Sequence, residues 1–209
     1  MAQYFLIHPD NPQARLIRQA VEIIRDGGVL VYPTDSCYAI GCQLGNKEAL
    51  ERVRRIRQVD DNHHFTLVCR DLKELATYAR VDNRQFRYLK SATPGRYTVI
   101  LTATRETPRR VMHPKRNTIG LRVPDHPVVA ALLEELGEPL LSATLLLPGE
   151  EWPLTEGWEI RERLEHEVDL ILDAGSCSVE PTTVIDLTDD DPVLLRRGAG
   201  DPALFGLQE

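Results

Sequence analysis

Four stretches of the sequence hold side chains that could bind or act on an anion. The first is Tyr32-Pro33-Thr34-Asp35-Ser36-Cys37-Tyr38-Ala39-Ile40-Gly41, which begins at the end of the apolar run Val29-Leu30-Val31-Tyr32. Small hydroxyl residues at a strand's exit sit where open α/β sheets bind ligands. The same residues also suit an ordinary surface turn, where Pro, Asp and Ser serve local backbone bonds. The second is the set Arg52, Arg54, Arg55 and Arg57. A guanidinium donates two parallel bonds to a phosphate or carboxylate. On a helix, Arg54 and Arg57 share one face and Arg52 and Arg55 another, so all four cannot converge on one ligand. A solvated, charged helix face is the alternative.

His63-His64 follow that set and could reach a carboxylate or phosphate. The third stretch holds Lys115, Arg116 and Arg122. Arg122 lies inside Ile119-Gly120-Leu121-Arg122-Val123, and a charge in such a run must reach solvent or a partner. It is either a cleft-facing anion ligand or half of a structural ion pair. In the fourth, Pro181-Thr182-Thr183 precedes one strand and Arg196-Arg197-Gly198 ends the next. Hydroxyls and arginine could meet across that hairpin, although Thr also belongs in strands for its β-propensity. The sequence has no Walker A, no Gly-x-Gly-x-x-Gly and no nucleophile elbow, so a nucleotide site would have to be built another way.

The elements that must position these residues follow from hydrophobic periodicity. Asn11-Pro12 reads as a helix start, with Leu16, Ile17, Ala20, Val21 and Ile24 on one face and Gly27-Gly28 as the stop. Asn46 caps a second helix running to about Arg57. Asp71 and Glu74 form a capping-box-like start for a third, and a short helix spans about Arg84–Lys90. Pro127 opens a further helix that Gly137 closes, and Glu159–Glu167 is helical and highly charged. Strands are expected at 29–32, 65–69, 97–103, 119–123, 140–147 and 168–172, with 183–187 and 193–196 as a hairpin. Thr93-Pro94-Gly95 reads as a turn, and 148–157 is the best candidate for a mobile loop. Strands and helices interleave without regular βαβ repeats. The expected fold is an α/β (α+β) domain spanning 1–209, with one mixed, twisted sheet and helices packed on it.

A formal net charge of −7 argues against a wholly basic nucleic-acid binder, though not against a local basic cleft. Cys37, Cys42, Cys69 and Cys177 form no Cys-x-x-Cys pair, so no structural zinc or other metal site is expected. Cys37 reads as a packed thiol. The apolar runs are too short to span a bilayer, and residues 1–10 lack a signal peptide's pattern. A cytoplasmic protein with reduced thiols is expected.

Taken in order, His8-Pro9-Asp10-Asn11-Pro12, Tyr32-Pro33-Thr34-Asp35-Ser36, Arg55-Ile56-Arg57-Gln58, Phe65-Thr66-Leu67, Thr93-Pro94-Gly95, Arg122-Val123-Pro124 and Pro181-Thr182-Thr183-Val184-Ile185-Asp186-Leu187 resemble the YrdC/YciO family, closest to its YciO branch. The resemblance covers nearly the whole chain. It implies a twisted mixed sheet around a large concave cleft. It also implies synthesis of threonylcarbamoyl-adenylate from ATP (with Mg²⁺), bicarbonate and L-threonine, a step toward tRNA modification, or else non-catalytic binding of double-stranded RNA or tRNA. By the same resemblance Thr34, Tyr38 and Arg122 belong to the substrate pocket, and Arg57, Thr182 and Arg196 to the ATP or AMP site. The family's Lys-x-Arg and Ser-x-Asn signatures fall on Arg57-Gln58-Val59 and Thr144-Leu145-Leu146. Arg57 and Thr144 keep a charge and a hydroxyl as catalytic candidates, whereas Val59 and Leu146 do not supply the second group. Each such loss typically costs about 3 kcal/mol of transition-state stabilisation. His63, near the second basic position, is a candidate substitute.

Overall fold

Side-chain alternation along the strands divides the protein into two apolar layers. The computed structural model describes residues 1–60 and 63–207. Its strands are β1 (Gln3–Leu6), β2 (Leu30–Tyr32), β3 (Ala39–Gln43), β4 (Thr66–Val68), β5 (Tyr97–Thr102), β6 (Thr118–Arg122), β7 (Leu140–Thr144), β8 (Leu170–Asp173), β9 (Thr183–Asp186) and β10 (Val193–Arg196). They form one mixed sheet in the order β1-β8-β2-β3-β7-β4-β6-β5-β9-β10. Helices α1 (Ala14–Arg25), α2 (Lys47–Arg57), α3 (Leu72–Tyr78), α4 (Asn83–Ala92), α5 (Pro127–Leu136) and α6 (Gly157–Leu164) pack on it.

Leu30, Tyr32, Ala39, Val68, Leu140, Leu170 and Leu172 point to one face and pack against Ile17, Ala20, Val21 and Ile24 of α1 and Val128, Val129, Leu132 and Leu133 of α5. Their strand neighbours Val31, Ile40, Leu67, Leu141 and Ile171 point the other way, toward the helix residues Leu50, Val53, Leu75, Leu89 and Ile160. This two-residue period is what the pleat dictates. The α1/α5 pair covers only part of its face. Over β4, β5, β6 and the far half of β7 the alternate positions are Thr66, Thr98, Thr118, Gly120, Ser142 and Thr144. These residues make the floor of a cleft.

The mixed sheet with surrounding helices is the architecture expected from the interleaved strands and helices. Several boundaries differ. The first helix begins at Ala14, not at Asn11-Pro12, because the His8 imidazole accepts the backbone N–H groups of Asp10 and Asn11 and holds a turn there. Asn46 does cap α2, accepting from Ala49 N–H at 3.0 Å. Asp71 caps α3, but the Glu74 carboxylate reaches back to Arg70 N–H rather than to Asp71, so the box is incomplete. The full capping box belongs to Asp82 and Gln85 at α4. The strand expected over 140–147 ends at Thr144, and α6 runs Gly157–Leu164 rather than Glu159–Glu167. β1 and β3 were not anticipated. β3 begins in the last residues of the stretch read as a strand exit, and it returns antiparallel along β2. Among the described residues, no helix is long and apolar enough to cross a membrane.

Candidate functional site

The cleft has a volume of about 490 Å³, within the range of roughly 300–1,000 Å³ typical of small-ligand sites. Register builds its floor. Ser142 of β7 pairs with Thr66 of β4, Thr66 with Gly120 of β6, and Gly120 with Ile100 of β5. Farther along, Thr98 pairs with Val184 and Val184 with Arg196. Gly120 keeps the floor low, since a Cβ there would sit 3.3 Å from the Thr66 hydroxyl and 3.4 Å from the Thr98 methyl.

Arg57 is the last residue of α2, and Gln58 turns the chain away in the left-handed conformation at φ 49°. The Arg57 guanidinium bridges the end of β7 by donating to the carbonyls of Thr144 (2.5 Å) and Leu146 (3.0 Å). Desolvation lowers its pKa from the usual arginine value. The other helix arginines go elsewhere. Arg52 pairs with Asp169 at 2.7 Å, and Arg54 lies over the Phe65 ring, its carbon 5.6 Å from the centroid.

Arg196 ends β10 at the far side. The residue is exposed overall, and its guanidinium donates to the Thr182 carbonyl through Nη2 (2.9 Å) and Nε (3.1 Å). Thr182 is itself fixed by Thr98, hydroxyl to hydroxyl at 2.8 Å. Desolvation of the Arg196 head lowers its pKa, and the nearby Arg122 charge adds to the effect. Among the described residues, neither Arg57 nor Arg196 makes an ion pair with a carboxylate. Arg122 differs. It is buried, donates to the Asp35 carboxylate and lies 3.4 Å from the Ser36 hydroxyl. It is therefore both a cleft-lining residue and half of an ion pair. Arg116 at the rim pairs with Asp186 at 2.9 Å.

Tyr38, Arg57, His63, Arg122, Thr144, Thr182 and Arg196 all line this one cleft. Thr34 sits behind it, its hydroxyl donating to the Cys37 carbonyl at 2.6 Å and lying 3.1 Å from Ser36 Oγ, which does face the cleft. The Tyr38 hydroxyl donates to the Gly175 carbonyl at 2.6 Å, and burial raises its pKa. Burial also pushes the Cys37 thiol up to about 11, so it stays protonated and is no nucleophile at neutral pH. His63 meets Phe65 edge-on at 5.2 Å, and burial, followed by the Arg57 charge, holds its imidazole below the usual pKa. His64 stacks on His113 with centroids 4.9 Å apart. Sequence reasoning had not picked out His113, Trp152 or the hydroxyl floor. The floor's signal was available in the alternation Thr98-x-Ile100, Thr118-x-Gly120-x-Arg122 and Ser142-x-Thr144. Val59 packs partly buried against the core, and Leu146 lines the cleft. Among the described residues, Glu151 is the lining's one carboxylate. Mg²⁺, which the family resemblance implies, would thus be carried mainly on substrate phosphates, as is usual for that ion.

This architecture has close counterparts. The profile of the Sua5/YciO/YrdC family, described as "Telomere recombination", matches residues 22–198. The Escherichia coli (strain K12) protein YciO is 60% identical over 205 residues, covering 98% of this chain and 100% of that protein. The crystal structure of E. coli YciO superposes with a TM-score of 0.95 over the same shares. More distantly, the threonylcarbamoyl-AMP synthase of Vibrio vulnificus (strain YJ016) is 29% identical over 160 residues, 75% of this chain and 84% of that protein. P. abyssi Sua5 complexed with L-threonine shares the fold at a TM-score of 0.87 and 23% identity, over 94% of this chain and 58% of that chain. With a hydroxyl-floored cleft on a mixed sheet of this topology and a family profile spanning most of its length, the chain belongs to the Sua5/YciO/YrdC family.

Proposed function

We propose that the cleft binds a nucleotide and condenses ATP, bicarbonate and L-threonine to threonylcarbamoyl-adenylate at a slow rate. One observation carries the reading. Two guanidiniums, Arg57 and Arg196, face one hollow, and neither has a carboxylate partner among the described residues. Desolvated cations in that state favour an anion with several oxygens, and a phosphate chain supplies them. A carbamate oxygen attacks the α-phosphorus as pyrophosphate leaves. The negative charge that develops needs fixed donors, and Arg57 and Arg196 are the candidates. The Ser36 and Tyr38 end would receive the amino-acid part; that an amino acid is a substrate at all is supported by relatives named as threonylcarbamoyl-AMP synthases and by the Sua5 structure complexed with L-threonine. Val59 and Leu146, at positions where the signature carries Arg and Asn, account for the slow rate. A single domain over 1–209, cytoplasmic and acting ahead of tRNA modification, completes the proposal.

Calorimetric titration with ATP, AMP and pyrophosphate, with and without threonine, tests binding. Incubation with labelled bicarbonate tests turnover. Arg57→Met and Arg196→Met should each weaken ATP by roughly tenfold or more, the loss expected for a charged hydrogen bond. Absence of ATP binding to the native protein would end the proposal. Tight, salt-sensitive binding of double-stranded RNA in its place would replace it with the RNA-binding alternative.

A further inference from the structure

The lip of the cleft is chemically unlike its floor. The floor is hydroxyl, glycine and arginine, whereas Trp152, Val179 and Leu195 on the lip are 59%, 41% and 53% exposed. Water-exposed apolar groups of this size gathered around one opening mark a binding surface rather than random scatter.

Chain connectivity sets this lip beside the anion-binding end. Leu195 directly precedes Arg196, and Val179 lies a few residues before Thr182. The loop carrying Trp152 is held at both ends. On one side Glu150 N–H donates to the Leu147 carbonyl (3.1 Å), and Arg163 donates to the Glu150 carboxylate (2.8 Å). On the other, Cys177 N–H donates to the Thr155 carbonyl at 3.0 Å, tying the loop to the segment that bears Val179. Leu154, between these ties, is 6% exposed and anchors the loop inward. The indole is thus offered from a braced arch.

We infer that Trp152, backed by Val179 and Leu195, is a stacking platform for the nucleobase of a nucleotide whose phosphates rest on Arg57 and Arg196. A ligand bridging a cationic floor and a flat apolar lip must carry phosphate at one end and a planar ring at the other. Base-on-indole stacking supplies sequence-tolerant affinity because every base has a π-face. The inference rests on the nucleotide reading of the cleft.

Pyrophosphate, which has no base, separates the two ideas. Trp152→Ala should weaken ATP by roughly tenfold to a hundredfold and leave pyrophosphate within about twofold, and Trp152→Phe should restore most of the loss. In Trp158→Phe, which leaves Trp152 as the protein's sole indole, ATP should quench fluorescence and pyrophosphate should not. Equal weakening of ATP and pyrophosphate by Trp152→Ala would show a structural role and overturn the inference. So would ATP binding that Trp152→Ala leaves unchanged, or that causes no quench; the phosphate site would stand in either case. If native protein binds pyrophosphate but ATP no more tightly, the platform alone falls. If it binds neither, both readings fall.

Discussion

Asp35→Asn should destabilise the protein by about 3 kcal/mol at neutral pH, the low end of what breaking a buried ion pair costs. Arg122 and Asp35 keep only 10% and 6% of their side-chain surface. Water can therefore do little to screen an unpaired guanidinium. Asparagine matches aspartate in shape and can still accept the Asp125 N–H that Asp35 holds at 2.8 Å. The substitution thus removes charge while leaving the turn intact. Two features keep the loss near the lower bound. The Ser36 hydroxyl remains 3.4 Å from the guanidinium, and Arg122 opens onto the cleft. The matching fall in melting temperature is roughly 6–12 °C for a chain of this size. Urea unfolding of the native protein, Asp35→Asn, Arg122→Met and the double variant measures the coupling. The double variant should lose clearly less than the two single losses combined. A loss below about 1 kcal/mol for Asp35→Asn, or simple additivity, would show that the pair is solvated and the burial argument mistaken.

Leu146→Asn should raise the rate of pyrophosphate release with threonine and bicarbonate by roughly a hundredfold, the worth of one well-placed transition-state donor; an unchanged rate would mean the signature position is not what limits turnover. Burial holds His126 and His63 below the ordinary imidazole pKa of 6.5. The unfolded chain then binds more protons than the native one, so their contribution to stability is fully present above 6.5 and is lost as pH falls from there through the lower folded-state pKa. His126→Asn retains an acceptor for the Val128 N–H and should flatten the acid limb of a stability–pH curve. Asn46→Ala removes the acceptor of Ala49 N–H and should cost about 1 kcal/mol by urea unfolding.

Elements with strong local signals were legible in the sequence. Asn46 as a cap, Pro127 with Gly137 around α5, and the β9–β10 hairpin all follow from nearby residues, and all are present. Helix geometry also showed that Arg52, Arg54, Arg55 and Arg57 must diverge. It could not show which of them meets the cleft, because that depends on where α2 ends relative to β7. The floor was harder still. Ser142, Thr66, Gly120 and Ile100 form one row only through the neighbours β7-β4-β6-β5, and that order is not the order of the chain. Each strand alone shows one or two small polar residues and gives no sign that they share a face with those of another strand. Thr34 shows the opposite limit. Its type suited ligand binding, but its hydroxyl is already engaged by the Cys37 carbonyl in the turn.

The shuffled strand order also constrains how the protein is made. β5 acquires its second neighbour from β9, and β2 acquires one of its neighbours from β8. A ribosome-bound chain that has emerged only as far as α6 thus carries two unpaired ladders rich in Val, Leu and Tyr. Such edges recruit strands from other chains. Synthesis of the stretch after α6 is therefore the interval in which this protein most needs a chaperone, and slow translation there would favour aggregation over folding.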